Sequence, residues 1–309
     1  MYNKNQIWRE IISNGLEKGI SCNEPMKKYT SWKIGGNADF FCTPSHQEQL
    51  AKLLLFALEH SLPIYIIGNG TNIWVSDEDI RGLVVRIAHT LDKVEYSDKM
   101  IKTGAGILLP ALAKKAADRG LSGLEFAAHI PGTLGGAILN NASFGKESIS
   151  DIVSEITLLH YRKGNIVTLK RGQFSFFYRE IDLGYNEFVL LEASLLLSTM
   201  DKESISLKIK NFYEQRKTTQ PVNFLTAGCI FKNAQEKPAG YLIDKAGAKG
   251  LMVGDAQVST KHANFILNRG HATASDILRL IEKIEKMVEK TFGIKLEREI
   301  DFIGLPGYR

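Results

Sequence analysis

The sequence predicts a mixed α/β protein whose last third is a compact α+β domain. Three observations predict it. Short apolar strand-like runs, IYII at 64–67 and GLVVRI at 82–87, alternate with helical segments in the first half. Polar glycine loops interrupt that pattern at 68–72 and 132–136, where loops at strand ends carry ligands. The stretch TTQPVNF at 218–224 reads as a linker, and the elements after it follow a different order.

Each element has its own signal. The stretch MYNKNQIWREIISNGLEKG reads as an amphipathic helix with Ile7, Trp8, Ile11 and Ile12 on one face, and it lacks the apolar core of a signal peptide. Residues 29–44 read as a strand broken by Gly35 and Gly36. A helix follows, with Ser45 as its cap and Glu48 at capping-box spacing; Leu50, Leu53, Leu54 and Ala57 form its apolar face. Pro63 opens the strand 64–67, which runs into GNGTN. A strand at MIKTGAG leads to a helix that Pro110 opens and that closes near Gly120. SEITLLHY and NIVTLK flank a Lys163-Gly164 turn and predict a hairpin. EFVLLEASLLLS at 187–198 is a long apolar strand, and 201–217 is a charged helix.

The last third carries a strand at AGCIFKN, a helix at AGYLIDKAG and a strand near NFILN. Thr273 and Asp276 then stand in capping spacing before a long helix with Ile277, Leu278, Ile281, Ile284 and Val288 on one face. LEREIDFI closes the chain as an alternating strand. Leu296, Ile300 and Phe302 share one face; Glu297, Glu299 and Asp301 share the other.

Composition narrows the function classes. A chain of 309 residues accommodates two or three domains, and 44% hydrophobic with 24% charged residues is ordinary for a folded protein. The net charge of +5 comes without a long basic run, so no nucleic-acid partner is expected. Cys22, Cys42 and Cys229 are too few and too scattered for a disulfide framework or a zinc site, and a cytoplasmic location is expected. The seven histidines have no metal-ligand spacing, so no metal is expected. No apolar run reaches the roughly 18 residues of a membrane helix, and no membrane partner is expected.

The chemistry centres on the glycine loops. LSGLEFAAHIPGTLGGAILNNASFG, at 121–145, holds Gly132, Thr133, Gly135 and Gly136, followed by Asn141 and Ala142. Glycines let backbone approach a ligand closely, and such a turn can offer free N–H groups to an anion. Gly68, Asn69, Gly70, Thr71 and Asn72 form a second loop of the same character. Neither a dinucleotide-type G-x-G-x-x-G after a strand nor a P-loop is present. Two such loops suit a pyrophosphate held by backbone N–H groups, as in a dinucleotide such as FAD.

At this point a resemblance emerges. YTSWKIGG, IIGNGTNIWVSD, GLSGLEFAAHIPGTLGGAILNNA, YRE, QPVNFLTAGCIFKN, AGYLIDKAGAKG, AQVSTKHANFILN and LEREI occur in the order seen in the UDP-N-acetylenolpyruvoylglucosamine reductase (MurB) family. The resemblance covers essentially residues 25–304 and is to the shorter form of the family, without an inserted tyrosine loop. It implies an FAD-binding domain of the vanillyl-alcohol-oxidase type in two subdomains, 1–93 and 94–217, and a substrate domain, 218–309. It implies a reaction of peptidoglycan precursor synthesis in two halves. NADPH reduces the flavin. Hydride then passes to C3 of the enolpyruvyl ether of a UDP-sugar, and an acid protonates C2. The expected partner is that small molecule, and the expected assembly is a monomer or a weak homo-oligomer.

The resemblance also assigns residues. Arg179 of YRE is the cation that stabilises an enolate-like carboxylate, with Glu299 of REI beside it. Cys229 takes the position of the serine that donates the proton to C2. A thiol is an acid with a pKa of about 8.5, far below an alcohol's, so protonation should weaken as pH rises through that value. Lys232, Asn233 and Tyr178 are the implied substrate-binding residues. His262, after Lys261, reads as structural. The chain departs from the family pattern at Ile181, where serine is common, at Leu225, where proline is common, and in the one-residue-shorter run Asn141-Ala142-Ser143-Phe144-Gly145. Two other readings remain: another FAD-dependent oxidoreductase on the same scaffold, or a non-catalytic UDP-sugar-binding protein in which Cys229 marks lost chemistry.

Overall fold

The computed structural model describes residues 2–184, 187–234 and 237–305. Seven α-helices form among these residues: α1 (Lys4–Ser13), α2 (Gln47–Glu59), α3 (Leu109–Ala117), α4 (Leu134–Leu139), α5 (Lys202–Thr219), α6 (Ala239–Lys245) and α7 (Ala274–Phe292). The chain divides into two compact units. One comprises residues 1–22, 39–69 and 81–213; the other comprises 23–38, 70–80 and 214–309. Each has its own hydrophobic core. The sequence reading expects three consecutive stretches, whereas both observed units draw on separated segments.

The first unit is built on two sheets. A four-stranded sheet has the order Ile20–Pro25, Asn37–Cys42, Ile80–Arg86, Ile64–Ile67. Its last two strands run parallel and are joined by residues 68–79, while α2 lies in the connection from Asn37–Cys42 to Ile64–Ile67. The apolar face read from the sequence of α2 is buried: Leu50, Leu53, Leu54 and Ala57, joined by Phe56. Its cap differs from expectation. His46 holds that position and its Nδ1 accepts from Gln49 N at 3.2 Å. Ser45 cannot cap, because its N–H and hydroxyl both donate to Gln49 Oε1. On α1, Ile7 and Ile11 are buried but Ile12 is 48% exposed, so the apolar stripe is narrower than read.

A five-stranded antiparallel sheet completes this unit, ordered Asn165–Lys170, Val153–His160, Phe188–Leu196, Met100–Gly104, Val94–Ser97. The predicted hairpin forms in register His160↔Asn165, and the long apolar strand sits at the sheet's centre. A two-residue hairpin, Ser175–Phe177 with Glu180–Asp182, places Tyr178 and Arg179 at its tip.

The second unit surrounds α7. Its capping box forms as read, Thr273 with Asp276, and Ile277, Leu280, Ile281, Ile284 and Val288 are buried. Asp77 reinforces this end by accepting from Ala274 N at 2.8 Å and Ser275 N at 2.9 Å. Trp32 donates from its indole to Ile266 O, and Trp74 to Ala274 O, so both buried indoles are satisfied. The helix read as 201–217 continues to Thr219, which shortens the linker. Two strand readings are corrected. AGCIFKN forms no regular strand, only single bridges Cys229↔Phe265 and Phe231↔Arg298. In LEREIDFI only Asp301–Ile303 is a strand; it pairs in parallel with Ile73–Val75.

Candidate functional site

In the first unit Gly68 and Asn69 meet the stretch around Pro131 and Thr133. Asn69 donates from Nδ2 to Pro131 O at 2.7 Å, and its Oδ1 accepts from Arg86 at 3.1 Å. A side chain on Gly68 would place its Cβ 2.5 Å from Thr133 Oγ1, so only glycine allows this approach. Thr133 in turn caps α4, accepting from Gly136 N at 3.2 Å. The expectation of free N–H groups in the glycine turn is corrected at three positions. Leu134 N donates to Ile107 O and Gly135 N to Ala105 O, while Gly136 N is held by Thr133. Gly136 is partly exposed and offers a bare surface rather than an open donor, whereas Gly135 is buried against Ala105.

A third loop adjoins the same unit's hairpin. Asn141 sits at a positive φ of 39° and donates from Nδ2 to Phe177 O at 2.9 Å. Its Oδ1 is buried with no hydrogen-bond partner among the described residues. Ala142 is locked by backbone bonds with Ala137 and Ile149. Arg179, at the hairpin tip, has φ 59°, a strained value for a side chain of this size. Its guanidinium donates to Ser143 Oγ at 3.2 Å and lies 5.6 Å from the Tyr178 ring centroid. Tyr178 is exposed. A cradle cleared of side chains at Gly68, together with an orphaned amide oxygen at Asn141, fits a large polar ligand with phosphate and ring hydrogen-bonding groups, as FAD has.

In the second unit the segment after Gly228 is threaded between two others. Ile230 N donates to Asn264 O at 2.9 Å; Lys232 N donates to Glu297 O and Glu299 N to Ile230 O, both at 2.8 Å. Cys229 and Glu299 are thus carried on adjacent backbones. Cys229 is a partly exposed thiol that forms no disulfide. Arg298 points the other way and clamps Glu285 with bonds of 2.6 and 2.8 Å. The 2.6 Å contact of Lys232 Nζ with Glu297 places its ammonium at the surface of this segment. Asn233 accepts from Ala239 N at the start of α6. Gly70, Thr71 and Asn72 lie in this unit, and Asn72 is a structural clamp. Its Nδ2 donates to Glu299 O and its own carbonyl accepts from Asp301 N, both at 3.0 Å.

Sequence reasoning missed three residues here: Arg86 behind Asn69, Asn264 beneath Cys229, and Arg216. Burial pushes the Arg216 guanidinium below the usual arginine value, and Cys229 pulls it back up, so the two groups feel each other. Arg216 sits in the charged run of α5, which sequence alone reads as solvated surface. His262 is partly buried, and its Nδ1 accepts from Asn264 N at 3.3 Å. Burial lowers its pKa, Lys249 lowers it further, and its Cε1 is packed where a Cβ on Gly240 would come within 3.2 Å.

Comparison with known proteins bears on both units. A model described as "FAD binding domain" matches residues 38–170. Fold and cradle together define an FAD-dependent oxidoreductase. A second model, "UDP-N-acetylenolpyruvoylglucosamine reductase, C-terminal domain", matches residues 220–303. Curated relatives include the UDP-N-acetylenolpyruvoylglucosamine reductases of Desulforamulus reducens and Clostridium tetani. The first is 43% identical over 94% of this chain and 95% of its own length; the second is 38% identical over 96% and 97%. The solved structure of the Thermus caldophilus reductase superposes with a TM-score of 0.78 at 34% identity, covering 90% of this chain and 97% of that one. The chain belongs to the UDP-N-acetylenolpyruvoylglucosamine reductase (MurB) family. No helix among the described residues is long and apolar enough to cross a membrane.

Proposed function

We propose that this chain converts UDP-N-acetylglucosamine enolpyruvate to UDP-N-acetylmuramate with NADPH as reductant, in the cytoplasm. The observation that carries the chemical assignment is the backbone bond from Glu299 N to Ile230 O, which supports reading Cys229 and Glu299 as one catalytic group. Bound FAD supplies two-electron transfer between NADPH and the enolpyruvyl double bond. The balance is one hydride to C3 and one proton to C2, with NADPH oxidised to NADP+.

The protein's own part is to bind, orient and move the proton. Gly68, Asn69, Gly70, Thr71, Asn72, Gly132, Thr133, Gly135, Gly136, Asn141 and Ala142 form the cofactor set, with residues 1–93 and 94–217 as its two lobes and 218–309 as the substrate domain. In this set Asn72 acts through the Glu299 backbone. Arg179 is already oriented by Ser143 and stabilises negative charge that develops on the substrate carboxylate. Cys229 donates the proton from Sγ, and Glu299 completes the catalytic set. Lys232, Asn233 and Tyr178 hold the UDP-sugar.

The test is an anaerobic titration followed by flavin absorbance in wild type, C229S and C229A. NADPH is expected to bleach all three. Addition of the enolpyruvyl substrate is expected to restore colour quickly in wild type and by about two to four orders of magnitude more slowly in C229A. In wild type the second step should slow as pH rises through the thiol's pKa. A C229S profile that coincides with wild type at high pH would remove Cys229 from the acid role. Bleaching without return in wild type would favour another substrate on the same scaffold.

A further inference from the structure

The segment 229–232 lacks the ladder that would hold a regular strand, having only single bridges to its neighbours. Gly228, immediately before Cys229, has φ 83°. A glycine there leaves the approach to the thiol loose on its upstream side. On the downstream side the chain is held by a side chain. Asn264 is 3% exposed. Its Oδ1 accepts from Phe231 N at 3.0 Å and its Nδ2 donates to Phe231 O at 2.8 Å. Its own backbone carbonyl accepts from Ile230 N at 2.9 Å. One residue therefore fixes three backbone groups in the two positions after Cys229. A carboxamide is the side chain that presents one donor and one acceptor side by side, as a neighbouring strand would.

We propose that Asn264 is a positioning residue for the reduction: it sets the direction of the Cys229 thiol by clamping the main chain of Phe231. This rests on the reading of Cys229 as proton donor. A displacement of the donor by about 1 Å is enough to slow a proton-transfer step by about a hundredfold. A merely structural asparagine would instead affect folding and both half-reactions alike.

The experiment uses the FAD-loaded full chain and the variants N264D, N264S and C229A. N264D keeps an acceptor for Phe231 N but sets a carboxylate against Phe231 O. N264S removes both partners and leaves space. Each is reduced with NADPH, then mixed with UDP-N-acetylglucosamine enolpyruvate, and flavin absorbance is followed. Alkylation of Cys229 by iodoacetamide is timed in parallel and assigned by peptide mass. The expected result is wild-type bleaching in both Asn264 variants, a return of colour slowed by about a hundredfold with little change in KM, and an altered alkylation rate at Cys229. Wild-type rates for both the return of colour and the alkylation would overturn the proposal. Equal slowing of both half-reactions would overturn it too, as a general defect. If C229A restores colour as fast as wild type, the acid assignment fails. Asn264's role in the reduction then falls with it, and a changed alkylation rate would show only that Asn264 orients the thiol.

Discussion

Asp39 is 3% exposed yet charged, and three partners account for that. Lys4 and Arg81 each approach it to 2.9 Å, and the Tyr2 hydroxyl donates to it while accepting from Gly82 N at 2.6 Å. Burial alone would raise the Asp39 carboxyl, but the Tyr2 bond and the two cations hold it below its ordinary value. Its contribution to stability is thus present above the unfolded value of 3.8 and lost as pH falls through the folded one. Tyr2 shifts the opposite way. Burial, then Asp39, pushes it from 10.0 up to about 12. The folded chain keeps that proton where the unfolded chain has lost it, so stability from Tyr2 is full below pH 10 and disappears toward about 12. Urea unfolding of Tyr2→Phe should show a stability gap to wild type that closes across this window. A gap that stays constant would mean that the hydroxyl's ionisation is not linked to folding.

At the scale of elements, what was legible in the sequence was local. The capping box at Thr273 and Asp276, the apolar face of α2 and the hairpin at Lys163-Gly164 depend on residues a few positions apart, and each formed. What could not be read depends on distant partners. AGCIFKN and LEREI alternate like strands, but their backbones are satisfied by Asn264, Glu297 and Asn72 instead of by a continuous ladder. The glycine loops were legible as motifs, and within the first unit Asn69 reaches Pro131 and Gly68 packs on Thr133. The clamp roles of Asn72 and Asn264 were not, since their partners lie 227 and 33 residues away. Gly68→Ala tests the loop junction. Its Cβ would force the Thr133 hydroxyl from Gly136 N, weakening the α4 cap by about 1 kcal/mol. Purified G68A should show a lower ratio of flavin to protein absorbance after gel filtration. Full retention of flavin would take Gly68 out of the cradle.

At the scale of the whole molecule, family membership rests on similarity along nearly the full chain, 94% of it for the Desulforamulus reducens relative. The second unit, however, is not a C-terminal appendage. Its core includes Trp32, Ile34 and Trp74, and its strand Asp301–Ile303 pairs with Ile73–Val75. A fragment of residues 214–309 would lose both tryptophans, the Asp77 cap and that strand's partner. Such a fragment is expected to give no cooperative thermal transition by circular dichroism. Coexpression with residues 1–213 should restore one. A cooperative transition in the isolated fragment would show that the earlier segments only decorate a core that is already sufficient.

The pairing of Asp301–Ile303 with Ile73–Val75 also sets a schedule on the ribosome. Residues 23–38 and 70–80 emerge early, but the strand Asp301–Ile303 that closes their unit is made long after them. At about 5–20 residues per second, the interval is on the order of ten to forty seconds. During that time Trp32 and Trp74 have no native core to enter. The growing chain therefore presents apolar surface to chaperones throughout that interval, and slow translation of residues 214–303 lengthens the exposure.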